Sequence, residues 1–277
     1  MTVRPELTGV PETTLWTLHN RATEARRPDS ALHDPWAVAA LEALTYPYAE
    51  RFGRPNQSHA LRARTFDDAL RAFLAEHPDA TVVALGEGLQ TTYWRLGEPA
   101  VDWISVDLPE VLALREQLLP AADRIRPVAL SALDRGWMDR VGGGPTIVTA
   151  EGLLMYFTRE EALGLLADCA ARFPGGQILF DTIPPWFSRR TVRGLDLTPA
   201  YRAPAMPFGI TVPDVLALPR LVPGLAAVDD LGLASGRGPF RAPVVRTATR
   251  LPVLGAHRPG CFRARSAGRL SDAPTHP

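Results

Sequence analysis

The chain has 277 residues, a formal net charge of zero and two cysteines, Cys169 and Cys261, with no CxxC spacing. That length suits one α/β domain or one core with an added subdomain, and the neutral balance excludes the basic footprint that recruits nucleic acid. All 30 basic residues are arginine, which removes Schiff-base lysines, the phosphate-loop lysine and the Tyr-x-x-x-Lys dehydrogenase pair, while two distant cysteines argue against a disulfide framework or a zinc site.

The first sixteen residues, MTVRPELTGVPETTLW, contain no apolar signal core, and no later run approaches the ~20 apolar residues of a membrane span. A soluble cytoplasmic protein with a small-molecule partner, and neither nucleic acid nor membrane, is expected; oligomeric state is not legible. Residues 12–50 carry amphipathic spacing through Leu15, Leu18, Ala22 and Ala25, then Ala37, Val38, Ala40 and Leu41, with Arg27-Pro28-Asp29-Ser30 as a turn between. A further helix spans residues 61–76 with Leu61, Phe66, Ala69, Leu70, Phe73 and Leu74 inward, stopped by His77-Pro78. Residues 1–78 therefore read as a helical cover.

An α/β core follows over residues 79–266. Val82 to Leu85 form a short apolar run that ends at Gly86-Glu87-Gly88, as a buried parallel strand does before a helix. Trp103 to Val106 form a second run that stops at Asp107, where such folds place a carboxylate for ribose hydroxyls. A dinucleotide turn wants a third glycine, and the sixth position here is Thr91. The turn fits a nucleoside ligand without pyrophosphate, such as S-adenosylmethionine (SAM), at least as well as NAD. Taken alone, Gly86 and Gly88 are equally a bare tight turn.

Further strands are expected at Pro127–Leu130, Thr146–Ala150 and Gln177–Phe180, and a capping box runs from Thr158 to Glu161 ahead of the helix ALGLLADCAARF. The strand and helix alternation predicts a mostly parallel sheet with ligands at the strands' carboxyl ends. A Pro-rich stretch from Ile183 to Pro223 holds an acceptor-pocket insertion around 184–215 and a helix near Val212–Leu221. Ala226–Val228, Val244–Ala248 and Cys261–Ala264 are late strands, and the end of the chain, from Ser266 in the widest reading and over 267–277 in the domain division, is a disordered tail.

The strand ends line up Gly86 and Gly88, Asp107, Leu133-Asp134, Glu151 and Asp181. A sulfonium-activated methyl needs orientation more than added chemistry, and Glu151 stands where a carboxylate attracts an ammonium or sulfonium. Four ordered motifs carry a family likeness: Arg64-Thr65-Phe66-Asp67-Asp68, VALGEGLQTTYWRL, VDLPEVLALR and TAEGLLMYF. From about Thr14 to Pro185 they resemble the leucine carboxyl methyltransferase family. With SALDRGWMD and FPGGQILFDTIP added, the likeness is to its bacterial polyketide-biosynthesis O-methyltransferases.

The resemblance implies a class I SAM-dependent methyltransferase, Rossmann-like, with a seven-stranded mostly parallel sheet, an N-terminal helical cover and SAM as cofactor. It implies that Arg64 clamps the methionine carboxylate, Gly86 and Gly88 border the methionine, Asp107 binds ribose, Leu133 with Asp134 meets the adenine, and Glu151 holds the amino end. Methyl transfer to a carboxylate or phenol of a polyketide-like molecule is the implied reaction. Glu151, Tyr156 and His19 are candidates at the reacting end, and His33 and His59 share the cover with His19. This chain departs from the family pattern at Gln90 and Thr92, where an acid and an arginine are usual, and at Ala132, whose acid is displaced to Asp134. A binding protein that has lost turnover is an alternative on those departures; an NAD-dependent oxidoreductase is disfavoured by the missing glycine and lysine.

Overall fold

A computed structural model describes residues 2–242, 244, 247 and 251–268. Four helices precede the sheet: α1 (Thr13–Ala25), α2 (Pro35–Ala43), α3 (Tyr48–Phe52) and α4 (Ser58–Glu76). Asp34 starts α2 by accepting the Ala37 N–H at 3.0 Å, with Pro35 at the first helical position where its missing N–H costs nothing. The same carboxylate accepts from the Thr91 hydroxyl and lies 3.2 Å from Arg95 and 3.5 Å from Arg21. Arg95 in turn forks onto Asp67 of α4, at 2.7 and 2.8 Å. This fully buried cluster ties the cover to the loop beneath it.

The seven strands run in the order β3-β2-β1-β4-β5-β9-β8. They are β1 (Thr81–Leu85), β2 (Asp102–Asp107), β3 (Ile125–Ala129), β4 (Thr146–Ala150), β5 (Gln177–Thr182), β8 (Leu225–Asp230) and β9 (Gly260–Ser266). β1 to β5 pair in parallel, and β9 lies antiparallel to both β5 and β8. Every residue of β1 and β4 is buried, as central strands covered on both faces require. Side chains alternate: Val82, Ala84, Trp103, Ile147 and Leu179 meet α1, α4 and α6 (Pro109–Leu118), while Val83, Leu85, Ile104, Val148 and Phe180 meet α7 (Arg159–Arg172) and α9 (Val212–Leu216). Because the order reverses between β1 and β4, a crevice opens outside their carboxyl ends. Gly86 and Glu151 stand at its two walls.

The capping box is present: Thr158 accepts the Glu161 N–H at 3.2 Å and Glu161 accepts the Thr158 N–H at 2.8 Å. Three expectations change. The Pro-rich stretch contains the helix α8 (Pro185–Val192) and an antiparallel hairpin, β6 (Leu195–Thr198) with β7 (Tyr201–Ala203), turned at Pro199-Ala200. The Val212–Leu221 helix stops at Leu216 and resumes as a 3-10 turn over Leu218–Arg220, since Pro219 has no N–H to continue the α-helical ladder onto the Val215 carbonyl. Ser266 belongs to β9, paired with Leu225, rather than to a tail. Val245, Arg246 and Ala248 of the expected Val244–Ala248 strand, and 269–277 of the tail, lie outside the described residues.

Candidate active site

The turn after β1 is held from three sides. Gly86 and Gly88 have φ of +56° and +55°, a left-handed conformation that glycine adopts without steric cost. A Cβ on Gly86 would come within 2.8 Å of Leu153, and one on Gly88 would strike the Thr14 hydroxyl. That hydroxyl accepts the Leu89 N–H at 2.6 Å, and Arg21 donates to the Leu89 carbonyl at 2.7 Å, so α1 grips both sides of one residue in the loop. From below, Glu87 accepts from Trp103 at 3.1 Å and pairs with Arg115 at 2.9 Å. Arg115 also donates to the Gly88 and Gln90 carbonyls.

Asp107, at the end of β2, accepts the Gly88 N–H at 2.6 Å and the Leu108 N–H at 2.8 Å. Burial pushes its carboxyl above the usual range, and those two N–H groups oppose the shift. Across the crevice Glu151 follows β4. Arg62 of α4 donates through Nε to Glu151 at 2.9 Å and through Nη1 to Asp181 of β5 at 3.1 Å, and Gln90 donates to Glu151 at 2.7 Å. Asp181 also accepts the Gly152 N–H at 2.5 Å. Burial raises the Glu151 carboxyl, with Arg62, Arg21 and Arg95 pulling it back. Burial works against the charge of Arg62 too, but Asp181 and Glu151 override it and raise the guanidinium.

These groups line a cavity of about 810 Å³, inside the usual range for ligand pockets. Its lining combines the polar group Gly86, Gly88, Gln90, Asp107, Arg62 and Glu151 with the apolar side chains of Met155, Ile183, Phe187, Leu195, Leu197 and Met206. Leu195 and Leu197 come from the hairpin and Phe187 from α8. The polar group fits SAM by its chemistry. Gly86 and Gly88 bring bare backbone to the cavity, Gln90 Oε1 is buried without a partner among the described residues, and carboxylates stand ready for cationic groups.

Gly86, Gly88, Asp107, Glu151 and Tyr156 all line this cavity. Arg64, Leu133, Asp134 and His19 do not. Arg64 is 47% exposed on the outer face of α4, donating to the Ala31 carbonyl, whereas Arg62 is 12% exposed and turned inward. Two residues on a helix lie about 200° apart, so only one of this pair can face the cavity. The choice was readable: Arg62 stands four residues before the buried Phe66 and eight before Leu70, on the core face. Asp134 turns back to accept the Gly136 N–H, leaving Leu130, Ser131 and Ala132 as the cavity wall next to it. His19 stacks on Tyr48 with ring centres 5.0 Å apart. His59, one turn before Arg62, reaches the cavity instead.

A crevice of this kind at the switch point of a seven-stranded sheet, with its glycine turn, carboxylate rim and helical cover, defines a nucleoside-cofactor methyltransferase. A model of the leucine carboxyl methyltransferase family matches residues 14–170, and the chain belongs to that family. It is 34% identical over 223 residues to the tetracenomycin polyketide synthesis O-methyltransferase TcmP of Streptomyces glaucescens, covering 79% of this chain and 81% of that protein. It is 32% identical over 203 residues to the S-adenosyl-L-methionine-dependent methyltransferase dpfgK of Gibberella zeae, covering 63% and 66%. Among solved structures, a possible exported protein from Bordetella parapertussis shares the fold at a TM-score of 0.54 and 16% identity, over 92% of this chain and 79% of that one. The small RNA methyltransferase HEN1 shares it at 0.50 and 14%, over 76% and 26%. The protein is a SAM-dependent methyltransferase. Among the described residues no helix is long and apolar enough to cross a membrane.

Proposed function

We propose that this enzyme methylates a carboxylate oxygen on an apolar, ring-containing small molecule of the polyketide type. The observation that carries the reading is a cavity lined both by Glu151 and Arg62 and by an apolar set, Met155, Ile183, Phe187, Leu195, Leu197 and Met206. SAM, when bound, supplies a sulfonium-activated methyl. Asp107 accepts from ribose hydroxyls, Glu151 attracts the amino end, and Arg62 offers the methionine carboxylate the Nη2 that its two carboxylate partners leave free. Leu130 to Ala132 provide the adenine wall in place of Leu133 and Asp134.

A carboxylate acceptor arrives ionised and needs no base, whereas a phenol gains from one. His59 meets Asn20 and His19 stacks on Tyr48, so neither ring is backed by an Asp or Glu among the described residues. The apolar lining excludes water and orients the acceptor, which is where most of the acceleration in such a transfer arises. Incubation with methyl-labelled SAM and matched pairs of polycyclic aromatic acids and phenols tests this. Label is expected in methyl esters of the acids; transfer to the phenols alone would refute the carboxylate reading.

A further inference from the structure

His59 lies in the first turn of α4 and lines the cavity, edge-on to Trp16 with ring centres 5.3 Å apart. Its Nδ1 is 2.6 Å from the side-chain nitrogen of Asn20. The orientation of that amide is not free. The Asn56 backbone N–H, which can only donate, points at the other end of Asn20 at 3.0 Å, so that end is the oxygen. Asn20 Nδ2 therefore donates, His59 Nδ1 accepts, and the hydrogen of the neutral ring sits on Nε2. Among the described residues Nε2 has no hydrogen-bond partner, and it is not shut away from the cavity.

A second proton would have to go on Nδ1, directly against the Asn20 donor. The charged groups facing the ring act in the same direction: Arg62 from its own helix and Arg21 from α1 are both cations, and no carboxylate among the described residues acts on it. Burial, then these two arginines, hold the imidazole well below its ordinary range. The geometry thus favours the neutral ring, which offers a donor with its only lone pair already engaged.

We infer that His59 binds the carboxylate of the methyl acceptor through Nε2–H, and so selects an ionised acceptor rather than serving as a general base. The inference rests on the proposed carboxylate transfer and assigns the residue that reads it. Arg62, 12% exposed and one turn further along α4, is left for the cofactor, and the apolar lining takes the acceptor's rings.

Long-range 15N–1H spectra of the wild-type protein loaded with S-adenosylhomocysteine read the tautomer directly. Protonated Nε2 and bare Nδ1 are expected, with the Nε2–H proton moving downfield on titration with 2-naphthoate. The isosteric Asn20→Asp keeps the Asn56 contact but accepts from Nδ1; at a pH high enough for the same spectra to show the variant's ring neutral, where the affinities are compared, Nε2 becomes an acceptor. Naphthoate affinity is then expected to fall by about tenfold or more, the scale of a lost hydrogen bond to a charged group, with S-adenosylhomocysteine affinity unchanged. A general base would instead gain from an aspartate behind it. A wild-type ring protonated on Nδ1, no naphthoate binding, unchanged naphthoate affinity in Asn20→Asp, or loss of S-adenosylhomocysteine affinity in its place would each overturn the inference. Failure to bind S-adenosylhomocysteine at all would refute the proposed function, and the tautomer would still be readable.

Discussion

Replacing Arg62 by methionine tests both the fold and the site, because one guanidinium serves two buried carboxylates. Arg62 is 12% exposed and its partners Glu151 and Asp181 are 7% and 8% exposed, so solvent screens the pairs little. Removing the cation leaves two like charges near each other in a site already poor in water. The cost of breaking such a buried pair is about 3–5 kcal/mol, or roughly 6–15 °C in melting temperature for a domain of this size. The sign of the pH dependence follows. Glu151 already titrates above its ordinary value, and without Arg62 it rises further, so the folded variant binds more protons than the unfolded chain through the mildly acidic range. Stability relative to wild type must then fall as pH rises and recover as pH drops from about 8 towards 5. Urea unfolding followed by the fluorescence of the 6 tryptophans, at both ends of that range, measures it. Calorimetric titration with SAM should show a loss of about tenfold or more, the scale of a charge-assisted hydrogen bond. Arg64→Ala is the control: its contact with Asp68 is long and exposed, and stability should shift by under ~0.5 kcal/mol. A SAM affinity that falls in Arg64→Ala and holds in Arg62→Met would refute the assignment of the inward arginine.

Asp34→Ala removes a helix cap together with the partner of two buried arginines, and should cost about 3–5 kcal/mol in urea unfolding. Gly88→Ala combines left-handed strain of ~1–2 kcal/mol with a clash against Thr14; SAM binding should weaken, and Thr14→Ser, which keeps the hydroxyl but removes its methyl, should restore less of it than Thr14→Gly. Thr158→Ala breaks the capping box of α7, at about 1 kcal/mol of stability. Because that box lies outside the cavity, SAM affinity measured beside it should not change.

The sheet was legible where burial is two-sided. β1 and β4 are wholly buried, so their apolar runs had to be interior strands, and each ends where a glycine or a carboxylate marks the crevice. The capping box was equally readable, since its two reciprocal bonds need only Thr158 and Glu161 at the right spacing. The choice between Arg62 and Arg64 depended instead on phase: the motif begins at Arg64 and pointed there, and only the helix face set by Phe66, Leu70 and Phe73 turns Arg62 inward in its place. The β6–β7 hairpin was hidden because its strands are four and three residues long and lie among prolines. Asp134 was misleading for a local reason, since an aspartate just ahead of a short helical turn satisfies that turn's N–H before any ligand.

The charges of the polar group also explain why the shortened glycine pattern goes with SAM. Glu151 and Asp181 share Arg62 as their ion-pair partner, and Asp107 accepts from backbone N–H groups and feels Arg115, which is itself paired with Glu87. That group therefore carries more negative than positive charge, and a dinucleotide would bring its two pyrophosphate charges against it. SAM carries a sulfonium and an ammonium against one carboxylate, so its sign is opposite to that of the wall. An acid at position 90, as the family pattern has it, would add a further carboxylate within hydrogen-bonding distance of Glu151. Gln90 donates to Glu151 from that position instead, at 2.7 Å, and supports the ionised form of a carboxyl that burial pushes towards protonation. The departure in the most diagnostic segment thus keeps the charge that a cationic cofactor needs, at the cost of one carboxylate that the remaining arginine would have had to balance as well.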